Sequence, residues 1–308
     1  MRNEDDRVEE AVAEAIAIAR NSGVKLQISH LKAQNAANWH KAPALLKQIE
    51  QAQNEGVDIA FDRYPYIAFS TGMSSFIPLS DRDGSKQEII ARLKDEKSSK
   101  RIGEYALSRI ERLGGPANVV VTSCNAESNK KFIGKNIGEC CTITGKEPWP
   151  FIRDLLIEEN VSVSIIGFAM REENVKLFLS HLLGMPASDG SVYSPQGVLS
   201  KSMPHPRSYG TFPRFIGKYC RNESLMDLST AIKKCTSLPA SRLGLKNRGS
   251  LIPGYQADIV IFEPGTIIDN ATFAQPHQFA TGIKEVIVNG IWTLSGGKPL
   301  EGRGGVTV

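Results

Sequence analysis

One carboxylic acid, one imidazole and two guanidiniums fall within a single Gly- and Pro-rich stretch. Asp189 stands in Ala187-Ser188-Asp189-Gly190, His205 and Arg207 in Pro204-His205-Pro206-Arg207, and Arg214 closes Tyr209-Gly210-Thr211-Phe212-Pro213-Arg214. Glycine and proline fix backbone shape without side chains that fill a core, so the stretch predicts a loop that carries function. Together these residue types offer an acid that takes and returns a proton and an arginine fork that grips a carboxylate. Each has a purely structural alternative. Asp189 would be an Asp-Gly turn capping the next segment, Arg207 a salt bridge holding the loop, and His205 a brace rather than a partner of a reacting oxygen.

A second group lies earlier. Val24-Lys25-Leu26-Gln27-Ile28-Ser29 reads as a strand that delivers His30 and Lys32 at its end, and Val57-Asp58-Ile59-Ala60-Phe61 as a strand ending at Asp62-Arg63-Tyr64-Pro65-Tyr66. His30 is either a metal ligand or a hydrogen-bonded rim histidine. Lys32 either offers a cation to a substrate carboxylate or is a solvated surface lysine. Tyr64 and Ser70 bring hydroxyls to the same rim, while Tyr66 reads as packing. His40, His181 and His277 have less suggestive settings, and Cys140-Cys141 lacks the partner spacing of a metal pair.

The elements that must position these groups alternate. Arg7 to Arg20 repeats Val8, Val12, Ala15 and Ala19 on one face, and Ala42 to Asn54 is a second helix with Pro43 in its first turn and Gly56 after it. Helices are also predicted over Asp81 to Gly115, Trp149 to Glu159, Arg171 to Leu183, Asp227 to Lys234 and Ser237 to Leu243. Further strands are predicted at Val119 to Ser123, Val161 to Ile166 and a short buried one before Asp189. Helix and strand in turn with short links is the grammar of a parallel sheet, and repeated units favour a barrel whose strand ends carry the chemistry. From about residue 248 the pattern becomes turn and strand, with Asn289-Gly290 as a hairpin turn. The division is therefore 1–247 for the α/β part and 248–308 for a small β domain.

The totals narrow the function. With 41% hydrophobic and 23% charged residues and a net charge of +4, the 308-residue chain is of ordinary globular composition without the basic block that nucleic-acid binding needs. No run of about eighteen uncharged apolar residues reads as a membrane span. Five cysteines without CxxC spacing fit a reducing cytoplasm, and the acidic start, Met1 to Asp6, shows no targeting pattern.

Ile28-Ser29-His30-Leu31-Lys32, Asp62 to Tyr66, Ala187 to Gly190, Pro204 to Arg207 with Tyr209 to Arg214, and Pro253-Gly254-Tyr255-Gln256-Ala257-Asp258-Ile259-Val260 together resemble the N-acyl-D-amino-acid deacylase (D-aminoacylase) family of the amidohydrolase superfamily. The resemblance implies an α/β fold, a (β/α)8 TIM-like barrel with a small β-sandwich, and zinc-dependent hydrolysis of N-acyl-D-amino acids. It makes His30 a metal ligand and Asp189 both a metal ligand and the acid that handles the hydrolytic water. Lys32, Tyr64, Ser70 and Arg207 become the group receiving the substrate carboxylate, and His205 assists at the scissile amide.

Met1-Arg2-Asn3-Glu4 resembles a run that follows the family's earlier His-x-His and cysteine, neither of which is present. The sequence therefore predicts a likeness to the C-terminal part of the family only, an incomplete barrel and zinc site, and dependence on a separate N-terminal half chain. Two alternatives stand beside deacylation: a cyclic-amide hydrolase of dihydroorotase or hydantoinase type, and a non-catalytic remnant.

Overall fold

The computed structural model describes residues 1–307. Helix α1 (Val8–Ser22) carries Glu9 and Glu10 in its first turn and Arg20 in its last, complementing the helix dipole, and Gly23 at φ 70° closes it. Strand β1 (Leu26–Ile28) follows, then α2 (Ala42–Asn54) with proline in its first turn, then β2 (Ile59–Arg63). Past β2 come β3 (Ala68–Gly72), the single-turn α3 (Leu79–Arg82), α4 (Lys86–Lys94), α5 (Glu96–Arg112), β4 (Val119–Ser123), α6 (Ile137–Thr144), α7 (Pro148–Glu158) and β5 (Ser164–Phe168). Helix α8 (Glu172–Ser180) leads into β6 (Gly184–Pro186). Then α9 (Arg207–Arg214) runs into a π-helical stretch, Phe215–Asn222, followed by α10 (Leu228–Cys235) and α11 (Ser237–Leu243). The chain ends in β7 (Ile259–Phe262), β8 (Ile283–Val288), β9 (Ile291–Ser295) and β10 (Lys298–Pro299).

Three sheets result. Parallel β1, β2 and β6 lie side by side with β2 central, Ile28 opposite Phe61 and Arg63 opposite Pro186. Their carboxyl ends share one rim, which is where His30, Tyr64 and Asp189 leave their strands. Val8, Val12 and Ile16 of α1, Leu45 and Ile49 of α2, and Phe178 of α8 pack against Ile28, Ile59 and Phe61 in one buried cluster.

Strands β3, β5 and β4 form a second sheet in that order, antiparallel, with Ala68 opposite Phe168 and Val119 opposite Gly167. This corrects the expectation that the strands near 119–123 and 161–166 continue the parallel series. Apolar periodicity reveals burial but not strand direction, and β3, with its small and polar Ser70, Thr71 and Gly72, offers little periodicity of its own. Gly167 admits the Phe69 ring, since a Cβ there would come within 2.3 Å of it. Among the described residues the parallel strands make a three-stranded sheet, not a closed ring, and the C-terminal strands make one four-stranded sheet in the order β10-β9-β8-β7. The expected Asn289-Gly290 turn joins β8 to β9, with both residues at positive φ.

The stretch expected to be a loop up to Arg214 is helical from Arg207 onward. Pro213 costs one backbone bond there, but Gly210 serves packing rather than a turn: a Cβ would stand 2.6 Å from the Tyr66 hydroxyl and 2.7 Å from Asp269 Cβ. Tertiary fit overrides local propensity.

Gly184 makes the parallel layer testable, because a Cβ there would lie 2.4 Å from the Phe178 carbonyl oxygen and 2.8 Å from the Phe61 ring. Gly184→Ala is expected to lower stability by about 1–3 kcal/mol in urea unfolding, through overpacking against α8. An unchanged midpoint would contradict this packing of β6.

Candidate active site

Asp62 near the end of β2 shapes the turn that carries His30. Its Oδ1 accepts the His30 backbone N–H at 2.7 Å and its Oδ2 the Gln27 side-chain amide at 2.8 Å, and its backbone carbonyl accepts Leu31 N–H at 2.9 Å. This bracing holds His30 at φ 44°, a left-handed conformation that costs a side-chain-bearing residue about 1 kcal/mol or more. The turn delivers Lys32 inward. It is 3% exposed, and its Nζ lies 2.8 Å from Glu4 Oε1, 2.8 Å from His30 Nδ1 and 3.0 Å from the His30 carbonyl.

Tyr64 is buried, and its hydroxyl has no hydrogen-bond partner. The guanidinium carbons of Arg63 and Arg207 stand 4.1 and 4.6 Å from its ring centroid, and Lys32 Nζ is 5.7 Å away. Three cations around one ring give the site a strongly positive floor. Asp189 follows β6 at φ 45°, and its Oδ2 lies 2.9 Å from Arg207 Nη1, a charge contact too poorly aligned to be a hydrogen bond.

His30, Lys32, Tyr64, Ser70 and Asp189 all line one cavity of about 660 Å³, together with Glu4. Ser70 arrives from β3, so the second sheet lines this cavity together with the parallel one. His205 and Arg207 lie behind the cavity wall. His205 Nε2 donates to the Ala68 carbonyl at 3.0 Å and Nδ1 accepts the Arg207 backbone N–H at 3.0 Å, so both ring nitrogens are engaged. Burial first, and then the Arg207, Arg63 and Arg214 charges against the opposing Ala68 bond, hold its imidazole well below the ordinary value and therefore neutral. Arg214, the other guanidinium of that stretch, stacks on Tyr66 at 4.7 Å and pairs with Asp269 at 3.2 Å.

Residues without a role in the sequence reading hold the site together. Glu4 accepts from Lys32 at 2.8 Å and from the Gln34 amide at 2.7 Å, and its Oε1 lies 3.0 Å from His30 Nδ1. Burial raises its carboxyl, but the His30 hydrogen bond and the Lys32 ammonium outweigh that and bring it down to about 2. Its place beside Met1-Arg2-Asn3 was visible as a motif, but its partners lie across a turn that no local pattern predicts. Arg63, 1% exposed, donates to the Tyr66 carbonyl and leaves Nε and Nη1 without partners.

The donor set fits zinc only in part. His30 Nδ1 is occupied while its Nε2 has no partner among the described residues, and Asp189 reaches the same cavity. Yet no group of three or more His, Cys, Asp or Glu among the described residues is arranged to hold one ion, whereas a catalytic zinc takes three protein ligands. No complete zinc site is formed by these residues.

The Amidohydrolase family model matches residues 199–292. N-acyl-D-glutamate deacylase of Alcaligenes xylosoxydans xylosoxydans is 32% identical over 94% of this chain and 49% of its own length, and D-aminoacylase of the same organism is 32% identical over 95% and 50%. The crystal structure of N-acyl-D-glutamate deacylase from Bordetella bronchiseptica, complexed with zinc and a phosphonate mimic of the tetrahedral intermediate, superposes with TM-score 0.75 at 31% identity, over 97% of this chain and 54% of that one. A crystal structure of D-aminoacylase matches with TM-score 0.75 at 30% identity, over 98% and 53%.

The likeness to D-aminoacylases runs almost end to end through this chain. The expectation that confined it to a C-terminal part is thereby corrected, since the alignments take in 94–98% of the residues. The chain spans about half the length of the curated relatives it matches. By this likeness the fold is of the amidohydrolase, TIM-barrel-related kind. No helix among the described residues is long and apolar enough to cross a membrane.

Glu4 gives the site a signature in acid. A carboxyl held down in the fold contributes stability that is fully present above its ordinary value of 4.5 and is lost as pH falls toward about 2. The stability gap between the wild type and Glu4→Gln, read by urea unfolding, should shrink through that window. A gap that stays constant would contradict the ion pair with Lys32.

Proposed function

We propose that this protein acts in the hydrolysis of the amide bond of N-acyl-D-amino acids, releasing a carboxylate and a D-amino acid. The observation that carries the proposal is one cavity lined by an acid, a lysine, a tyrosine, a serine and an imidazole, in a chain similar to deacylases of this chemistry. A finer architecture goes with it: β1, β2 and β6 belong to a (β/α)8 barrel, and residues from 248 onward to a small β-sandwich.

Asp189 is the general base and acid. It takes a proton from the attacking water and returns it to the leaving amine, a role that calls for a carboxylate within hydrogen-bond reach of both. Arg207 holds one oxygen of Asp189 and brings positive charge to the substrate carboxylate, which Lys32, Tyr64 and Ser70 receive. The unpartnered Tyr64 hydroxyl supports this, because a buried donor without an acceptor is costly until a ligand supplies one. His205, neutral and doubly engaged, braces the loop between Ala68 and Arg207. Zinc, when bound, supplies a water of lowered pKa and polarises the acyl oxygen. His30 and Asp189 are the donors this chain would offer to it, and a second chain carrying further donors is the partner the proposal implies. A cytoplasmic setting suits five free cysteines.

Hydrolysis of N-acetyl-D-methionine and its L enantiomer, followed by amine release with and without added zinc, tests the proposal. Turnover of the D form is expected to exceed that of the L form, and Asp189→Asn to lower it by about 10²–10⁴-fold. Full activity in Asp189→Asn would remove the acid from the mechanism.

A further inference from the structure

Arg63 is the one cation around the Tyr64 ring that no acid answers. Lys32 pairs with Glu4 at 2.8 Å and Arg207 meets Asp189 at 2.9 Å, but Arg63 has no carboxylate within salt-bridge distance among the described residues. On β2 it shares the face of Ile59 and Phe61, which pack against helices, and it is 1% exposed. A guanidinium stays charged inside a protein, and burying one unpaired is costly. Its place is nonetheless fixed. One nitrogen, Nη2, donates to the Tyr66 carbonyl at 2.8 Å, the guanidinium carbon stands 4.1 Å from the Tyr64 ring centroid, and Nε and Nη1 find no acceptor. Arg214 Nε holds the neighbouring Pro65 carbonyl at 2.8 Å, and Tyr66 N–H closes on the Tyr64 carbonyl at 2.9 Å, so the turn that aims Tyr64 is braced three times.

We propose that Arg63 makes the Tyr64 hydroxyl a carboxylate-selecting donor, by clamping the ring and drawing electron density from it, so that N-acyl amino acids are taken and their uncharged amides refused. Tyr64 lines the cavity and Arg63 does not, so Arg63 is a positioning residue that works through its neighbour. A cation against the face of an aromatic ring is attracted to its electrons and polarises them, which strengthens the O–H as a donor. An acid beside Arg63 would cancel that pull, and none of the described residues supplies one. The Tyr64 hydroxyl has no partner of its own, so an incoming carboxylate meets a donor already aimed and unspent. This selection rests on reading Tyr64 as a carboxylate-binding group.

Calorimetry with N-acetyl-D-methionine and with its uncharged amide, recorded with a chelator present so that nothing is hydrolysed, reads the selection directly. The wild type is expected to bind the acid at least about tenfold more tightly than the amide, and Arg63→Met to weaken acid binding by about tenfold while leaving amide binding unchanged. In a Tyr64→Phe background the same substitution should change acid binding by less than about twofold, because its route to the ligand is gone. Equal losses for acid and amide would mean that Arg63 only shapes the wall. That result, an unweakened acid, or a full further loss on top of Tyr64→Phe overturns the proposal. If circular dichroism shows that Arg63→Met does not fold, Arg63→Gln, which keeps a planar donor for Tyr66 and drops the charge, is held to the same outcomes. If the wild type binds neither compound, the substrate reading fails on its own, and ring-flip NMR of Tyr64, assigned with Tyr64→Phe, decides. Slow flipping that Arg63→Met speeds at least about tenfold supports the clamp, and unchanged flipping overturns it.

Discussion

The Asp62 carboxylate bound to the His30 backbone N–H is the interaction on which the site depends. β2 is the middle strand of the parallel sheet, and Asp62 stands in register with Met185 on β6 and just beyond Phe61, which opposes Ile28 on β1. From there it sets the left-handed turn at His30, which brings Lys32 under the Tyr64 ring and places Gln34 and His30 each within hydrogen-bond reach of Glu4. A partly buried charge-assisted bond of this kind compensates the backbone strain at His30.

Electrostatics then divide the site into two halves. On one side Glu4 offsets Lys32. On the other Asp189 meets Arg207, but only by charge contact, and Arg63 has no carboxylate within salt-bridge distance among the described residues. A floor with more buried positive charge than its own acids satisfy is suited to an anionic ligand, and burial, with the Arg207 and Arg63 charges adding to it, keeps His205 neutral and therefore able to accept the Arg207 backbone N–H.

Much of this was legible in the sequence for physical reasons. Strand ends could be read because β1, β2 and β6 are short apolar runs terminated by polar residues, and β/α alternation places those ends on one rim. α2 announced itself by proline in its first turn and glycine beyond its end. The helix from Arg207 was hidden, because Gly210 and Pro213 speak locally for a loop while packing against Tyr66 and Asp269 decides for a helix. The antiparallel sheet was hidden too, since strand direction is set by connections and partners rather than by the strand's own residues. Glu4 could be seen only as part of a short motif, its function being created by side chains twenty-six to thirty positions away.

The most direct test of the central claim is a crystal structure with a phosphonate analogue of an N-acyl-D-amino acid. The account predicts the ligand in the cavity lined by His30, Lys32, Tyr64, Ser70 and Asp189, with its carboxylate within hydrogen-bond distance of Lys32 and the Tyr64 hydroxyl and its phosphonate facing Asp189. A ligand seated elsewhere, or one reversed so that its carboxylate meets Asp189, would contradict it.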